Sequence, residues 1–271
     1  MRTVRQVAAL LAFACIGVPL TVPTTASAAT TPATPGYWLA GADGGVYSFG
    51  APFYGSGVGP ADPHPCDFTP QPPSPPVNPA FGCGAISAAP DGSGYWLLNR
   101  FRTATGFAQA GLVPPLSCSP LNGAEGSWAG IASSSTGPLL TDPGYLLTAS
   151  NGGVMGCGEA VPLGGLASDT LNAPVVGIAA TPDAKGYWLV SSDGGVFAFG
   201  DATFDGSMGG ARLNAPVVGI AATPDGKGYW LAAADGGVFS FGSAPFEGSM
   251  GGKHVNAPVV GIATYAPPVP A

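Results

Sequence analysis

Charge is scarce in this chain. Only 8% of its 271 residues are Asp, Glu, Lys or Arg, and fifteen acids against eight cations leave a formal net charge of -7. A helix-rich protein would spend Glu, Lys and Arg on its solvated faces, so the shortage argues against one. Eight cations are also few to cluster against phosphates, which speaks against a nucleic-acid partner. Histidine is rarer still: His64 and His254 are the only two, and with no G-x-S-x-G present a Ser-His-Asp site is not expected. No two cysteines stand two to four residues apart, which removes the usual zinc spacings. Gly55, Gly57 and Gly59 are spaced like a phosphate loop, but neither a helix signal nor a Lys follows them. No cofactor and no metal are expected.

The abundant residues are 44 Gly and 30 Pro, beside 10% aromatics. That aromatic content separates the chain from disordered sequences. Its length allows one large domain or two small ones.

Residues 1–28 read as a secretory signal. Arg2 and Arg5 form a positive start, an apolar stretch broken by Pro19 follows, and Ala26-Ser27-Ala28 is an A-x-A cleavage site. The apolar run is too short for a bilayer span of about 20 residues. Cys15 does not make a lipoprotein signal, because Ala12-Phe13-Ala14 is a poor lipobox. The mature chain is expected to start at Ala29, to be secreted or held at the cell wall, and to have no membrane span. A single domain is expected over 29–271.

Cys66, Cys83, Cys118 and Cys157 remain after cleavage. An even number in an exported protein points to disulfides, and four cysteines allow three connectivities. Cys66 and Cys83 bracket a Pro-rich loop with little apolar content, and closing a loop of that size would stabilise by about 3 kcal/mol. Cys118–Cys157 is then the remaining pair.

Two segments nearly copy one another. LNAPVVGIAATPDAKGYWLVSSDGGVFAFGDATFDGSMGG begins at Leu171 and its near-copy at Leu213, a period of 42 residues. Weaker copies start at Gly36, Ile86 and Gly144. Within a unit, VVGIAAT, GYWLVSS and VFAFG read as strands, and TFDGSM as a short fourth. Asp193-Gly194-Gly195 predicts a tight primed hairpin turn. The strands are apolar on both faces, with Tyr187 and Leu189 pointing one way and Trp188 and Val190 the other, so both faces must be covered. An all-β, five-bladed β-propeller with four antiparallel strands per blade meets these requirements. A β-solenoid would also bury both faces, but its coils are shorter than 42 residues.

The count supports closure. Five GY anchors occur, at Gly36, Gly94, Gly144, Gly186 and Gly228, and five copies of the preceding strand, around Ile86, Ile131, Ile178, Ile220 and Ile262. The first anchor lacks a preceding strand and the last strand lacks an anchor. The C-terminal strand is therefore expected to close the first blade, removing two open edges and giving a monomer. Exchange of that strand between two chains, making a dimer, is the alternative. GYWLVSSDGGVFAFGDATFDGS and its linker resemble a repeat of secreted actinobacterial proteins, closely over 171–264, well over 36–56 and in worn form between 86 and 165. The resemblance implies a secreted β-propeller and carries over no catalytic residue.

The acids fall mostly at turns. Asp43, Asp193 and Asp235 occupy the DGG position, with Asn151 as counterpart, and Asp91, Asp183 and Asp225 occupy the turn after the first strand. Both positions favour Asp for turn geometry. A turn offers one oxygen where a Ca²⁺ site needs several. Glycoside hydrolysis would need two carboxylates about 5 to 9 Å apart, and the acids outside the turns are Glu125, Asp142, Glu159, Asp169, Asp201, Asp205 and Glu247. Trp38, Trp96, Trp188 and Trp230 could stack on sugars, but their fixed place in the repeat reads as core between blades.

Sequence outside the repeat enters at 57–82 and 112–127, and Asn99-Arg100-Phe101-Arg102 replaces a tight turn. Strand counting puts these insertions on one face, with His64, Asp67, Arg100, Phe101 and Arg102 as its candidate ligand residues. The expected function is that of a non-enzymatic binding or surface-interaction module for a cell-wall polysaccharide or another exported protein. A five-bladed glycoside hydrolase and a purely structural envelope protein are the alternatives.

Overall fold

Among the described residues the β-branched and apolar runs of the repeat, such as VVGIAA, GYWLVS and VFAFG, form strands. In the computed structural model the described residues are 35–55, 83–88, 94–99, 104–108, 128–133, 144–158 and 160–266. All of them belong to one unit, Thr34–Ala271. The strands are β1 (Gly36–Gly41), β2 (Val46–Phe49), β3 (Cys83–Ala88), β4 (Gly94–Asn99) and β5 (Ala104–Ala108). Next come β6 (Trp128–Ser133), β7 (Tyr145–Ala149), β8 (Val154–Cys157), β9 (Val175–Ala180) and β10 (Gly186–Ser191). The last are β11 (Val196–Gly200), β12 (Val217–Ala222), β13 (Gly228–Ala233), β14 (Val238–Gly242) and β15 (Val259–Tyr265). Among the described residues there is no helix. The fold is all-β.

The strands form five antiparallel sheets of three: β15-β1-β2, β3-β4-β5, β6-β7-β8, β9-β10-β11 and β12-β13-β14. The first sheet joins the two ends of the chain, with Trp38 opposite Ala263 and Leu39 opposite Ile262. The C-terminal strand thus completes the sheet begun at Gly36 within the same chain. The strand that opens each sheet packs against its counterparts in two others, in the cyclic order β15, β3, β6, β9, β12 and back to β15. Glycine permits the approach. A Cβ added to Gly177 would stand 3.2 Å from the Gly219 Cα, and one added to Gly219 would stand 3.4 Å from the Gly261 Cα.

The middle strands β1, β10 and β13 are buried along their whole length. Both faces of each are covered by neighbouring sheets. Trp188 packs on Tyr229 at 5.4 Å between ring centres, and Trp230 on Tyr37 at 5.3 Å. Each such ring removes about 150–250 Å² from water, worth roughly 4–6 kcal/mol as an upper bound. The expected core role of Trp38, Trp188 and Trp230 holds, since all three are fully buried. The Trp96 side chain lies outside the described ones.

Two local expectations are corrected. The DGG hairpin is not a primed two-residue turn but a three-residue loop. The Ser191 amide donates to the Gly195 carbonyl (2.9 Å) and the Gly194 amide to the Ser191 carbonyl (2.8 Å). Gly194 alone takes a positive φ, 84°, so one glycine and not a pair meets the requirement. The expected fourth strand is also absent: TFDGSM pairs with no ladder. It runs back beside β11 and is tied at its far end, where the Met208 amide donates to the Gly194 carbonyl (2.9 Å). Side chains claim its polar backbone groups before a strand can.

Candidate functional site

Those side chains define a hydrogen-bonded feature that recurs in the repeat. Along the return segment the Thr203 carbonyl accepts from Trp188 Nε1 (2.7 Å). Two residues on, the Asp205 amide donates to the Tyr229 hydroxyl (3.1 Å), and that hydroxyl donates to the Gly206 carbonyl (2.6 Å). The segment is therefore held by its own sheet on one side and by the next sheet on the other. Gly206 sits at φ 130°, where a Cβ would also strike the Phe241 ring at 2.8 Å, so only glycine serves there. The arrangement repeats with Trp230 on Pro245 and Tyr37 on Glu247 and Gly248. Burial pushes the phenols of Tyr37, Tyr187 and Tyr229 above their ordinary range, against the opposing pull of these backbone bonds.

Between the two clamps stands a solvent-exposed phenylalanine. Phe204 is 56% exposed, and Phe246 and Phe53, at the same repeat position, are 61% and 59% exposed. In the unit before Phe204 the position is Pro162, flanked by exposed Val161 and Leu163. Sequence reasoning weighed the tryptophans as sugar-stacking groups and passed over these phenylalanines. The available signal was the recurrence of Phe four residues beyond the last strand of a unit, in PFYGS, TFDGS and PFEGS.

The turn acids do structural work. Oδ1 of Asp43, Asp193 and Asp235 accepts the amide two residues on, at 2.9, 3.1 and 2.9 Å, and Asn151 does the same at 3.0 Å. Asp183 accepts from the Thr181 hydroxyl (2.8 Å) and the Lys185 amide (3.2 Å), which holds its carboxyl down at about 2. Burial pushes the Asp225 carboxyl up, but hydrogen bonds from the Thr223 hydroxyl, the Lys227 amide and the Ser243 hydroxyl outweigh it and leave it lowered. Among the described residues no three His, Cys, Asp or Glu converge as a metal site would need.

The five opening strands line an open cavity of about 160 Å³. Ala, Gly, Val and Ile line most of it, with Ser133 and Thr264 as the polar exceptions, and no described carboxylate faces it. Thr264 is already engaged, its hydroxyl bonding to the Ala222 carbonyl. Asp169 and Asp201 are exposed. Asp205 and Glu247 lie against Gly242 and Gly50 at the ends of neighbouring outer strands. Glu125, Asp142 and Glu159 lie outside the described residues, as do His64, Asp67, Arg100, Phe101 and Arg102. Cys66 and Cys118 are outside them too, and of Cys83 only the strand position is described. Cys157 is fully buried at the end of β8 and disulfide-bonded, its partner outside the described side chains. Among the described residues no helix is long and apolar enough to cross a membrane.

No protein-family model matches this chain, and neither does any curated protein.

Proposed function

We propose that this chain is an exported five-bladed β-propeller that serves as a non-enzymatic binding module for a neutral cell-envelope polysaccharide. The propeller reading is supported by five sheets, the cyclic contact of their opening strands, and the pairing of β15 with β1. The leader at 1–28 and the likeness to secreted actinobacterial repeats support export. Disulfides Cys66–Cys83 and Cys118–Cys157 belong to the same reading.

One observation carries the choice of binding over hydrolysis. The described acids hold turns, lie exposed, or, as Asp205 and Glu247 do, pack at the ends of outer strands, and none of them lines the cavity, where a pair about 5 to 9 Å apart would be needed. The test is retention of the oxidised protein, from Ala29 onward, on a panel of cell-wall polysaccharides. Saturable retention without released sugar is the expected result. Release of reducing ends would overturn the reading in favour of a hydrolase, and no retention would overturn it in favour of a structural role.

A further inference from the structure

We infer that Phe53, Phe204 and Phe246 are the stacking platforms for that polysaccharide, one on each of three consecutive sheets. The inference rests on the polysaccharide-binding reading and names residues other than the insertion-loop candidates expected from sequence.

Single exposed hydrophobic residues are ordinary, but these three are not scattered. They occupy the same repeat position with nearly the same exposure, 56 to 61%. Their sheets are neighbours, because β9 packs on β12 and β12 on β15, so Phe204, Phe246 and Phe53 follow one another along an arc. The backbone on either side of Phe204 is fixed, by Trp188 before it and Tyr229 after it, and Phe246 is fixed likewise by Trp230 and Tyr37. A ring presented from a fixed backbone loses little freedom when a ligand settles on it. Its apolar face suits the C–H face of a sugar ring.

The charge beside the rings selects the ligand class. The return segments of Phe204 and Phe246 carry Asp201, Asp205 and Glu247 and no cation of their own, and that of Phe53 carries no charge. The adjoining Lys185 and Lys227 share their turns with Asp183 and Asp225. A surface with this acidic excess disfavours a polyanion, and the exposed Asp201 offers acceptors to hydroxyl donors, which describes a neutral polysaccharide. A polymer of repeating sugars spanning equivalent platforms gains by multivalency, so each contact can be weak.

The test is affinity electrophoresis of the oxidised protein through gels containing a soluble neutral β-glucan or a soluble neutral mannan, with polyglycerol phosphate as the polyanion. Wild type is expected to be retarded by a neutral polymer. Each of F53A, F204A and F246A should weaken retardation about twofold to tenfold, the triple variant should abolish it, and F204Y should retain it. Urea midpoints should stay at the wild-type value, since the rings are exposed. If wild type binds a neutral polymer and the triple variant binds equally well, the platforms are wrong while the polysaccharide reading stands. Retardation by polyglycerol phosphate alone would overturn the neutral ligand. Self-association that the triple variant loses would make the arc an interface between copies instead. If wild type binds no polysaccharide here or on the cell-wall panel, the underlying reading fails first.

Discussion

The hydroxyl of Tyr37 donates to the carbonyl of Gly248, 211 residues later in the chain. The same oxygen accepts the Glu247 amide at 3.3 Å. Tyr229 grips Asp205 and Gly206 in the same way, and Tyr187 grips Leu163 and Gly164, each only 23 or 24 residues back. The joint between the chain ends is therefore built like the joints inside the repeat. Tyr37→Phe removes one hydroxyl and leaves two partly buried backbone groups without it, a loss of about 1–3 kcal/mol. Urea unfolding should show equal losses for Tyr37→Phe and Tyr229→Phe. A neutral Tyr37→Phe beside a destabilising Tyr229→Phe would mean that the terminal joint is slack in solution.

The cyclic packing of the opening strands gives a second prediction. A Cβ on Gly177 would come within 3.2 Å of the Gly219 Cα and of a Val190 methyl, and the Gly219 backbone cannot yield without moving its sheet. Gly177→Val is expected to destabilise by about 1–3 kcal/mol, as overpacking does. Val176→Ala, one residue away on a half-buried position, should cost less. Thermal melts of the two variants decide it, and equal melting points would show that the strands stand further apart than described.

Much of this was legible in the sequence. GYWL and VVGIAAT are apolar on both faces, so covered sheets followed from periodicity, and the orphan strand at Ile262 followed from counting. The return segment was not legible. TFDGSM has strand-like composition, but whether its amides join a ladder depends on competition from Tyr229 and Trp188, which come from different sheets. The exposure of Phe204 follows from the same competition, because the two clamps decide which way the residue between them points. The hairpin was misassigned for a smaller reason: two adjacent glycines suggest two positive φ angles, and the loop uses one.

Stability should fall at both ends of the pH scale, for opposite reasons. Asp183 is held at about 2 by the Thr181 hydroxyl and the Lys185 amide, and Asp193 is lowered by the Ser191 hydroxyl and the Gly195 amide. With folded values below the ordinary 3.8, these carboxylates add stability that is complete above about pH 4 to 5 and is lost as the pH falls through the folded values. The buried phenols of Tyr37, Tyr187 and Tyr229 lie above the ordinary 10.0, so the unfolded chain ionises first and stability drains away above pH 10. Urea midpoints measured across pH should be flat between these limits. Phenolate absorbance that rises for these tyrosines before the fold melts would contradict the alkaline half.

Removing β15 tests how far the molecule depends on closure. Without residues 259–271, β1 keeps its pairing to β2 but presents its other edge, while its side chains, fully buried in the intact protein, lose Ile262 and Ala263 opposite Leu39 and Trp38. β3 and β12 also lose the strand that packs between them. An unpaired edge beside a buried aromatic face is a template for another strand. The truncated chain is expected to lose its cooperative urea transition and to associate, and a peptide of residues 257–266 added in trans should restore a sharp transition and a monomer. A truncated chain that stays monomeric with the wild-type midpoint would show that β15 contributes little. The stability would then have to come from the four sheets that do not need it.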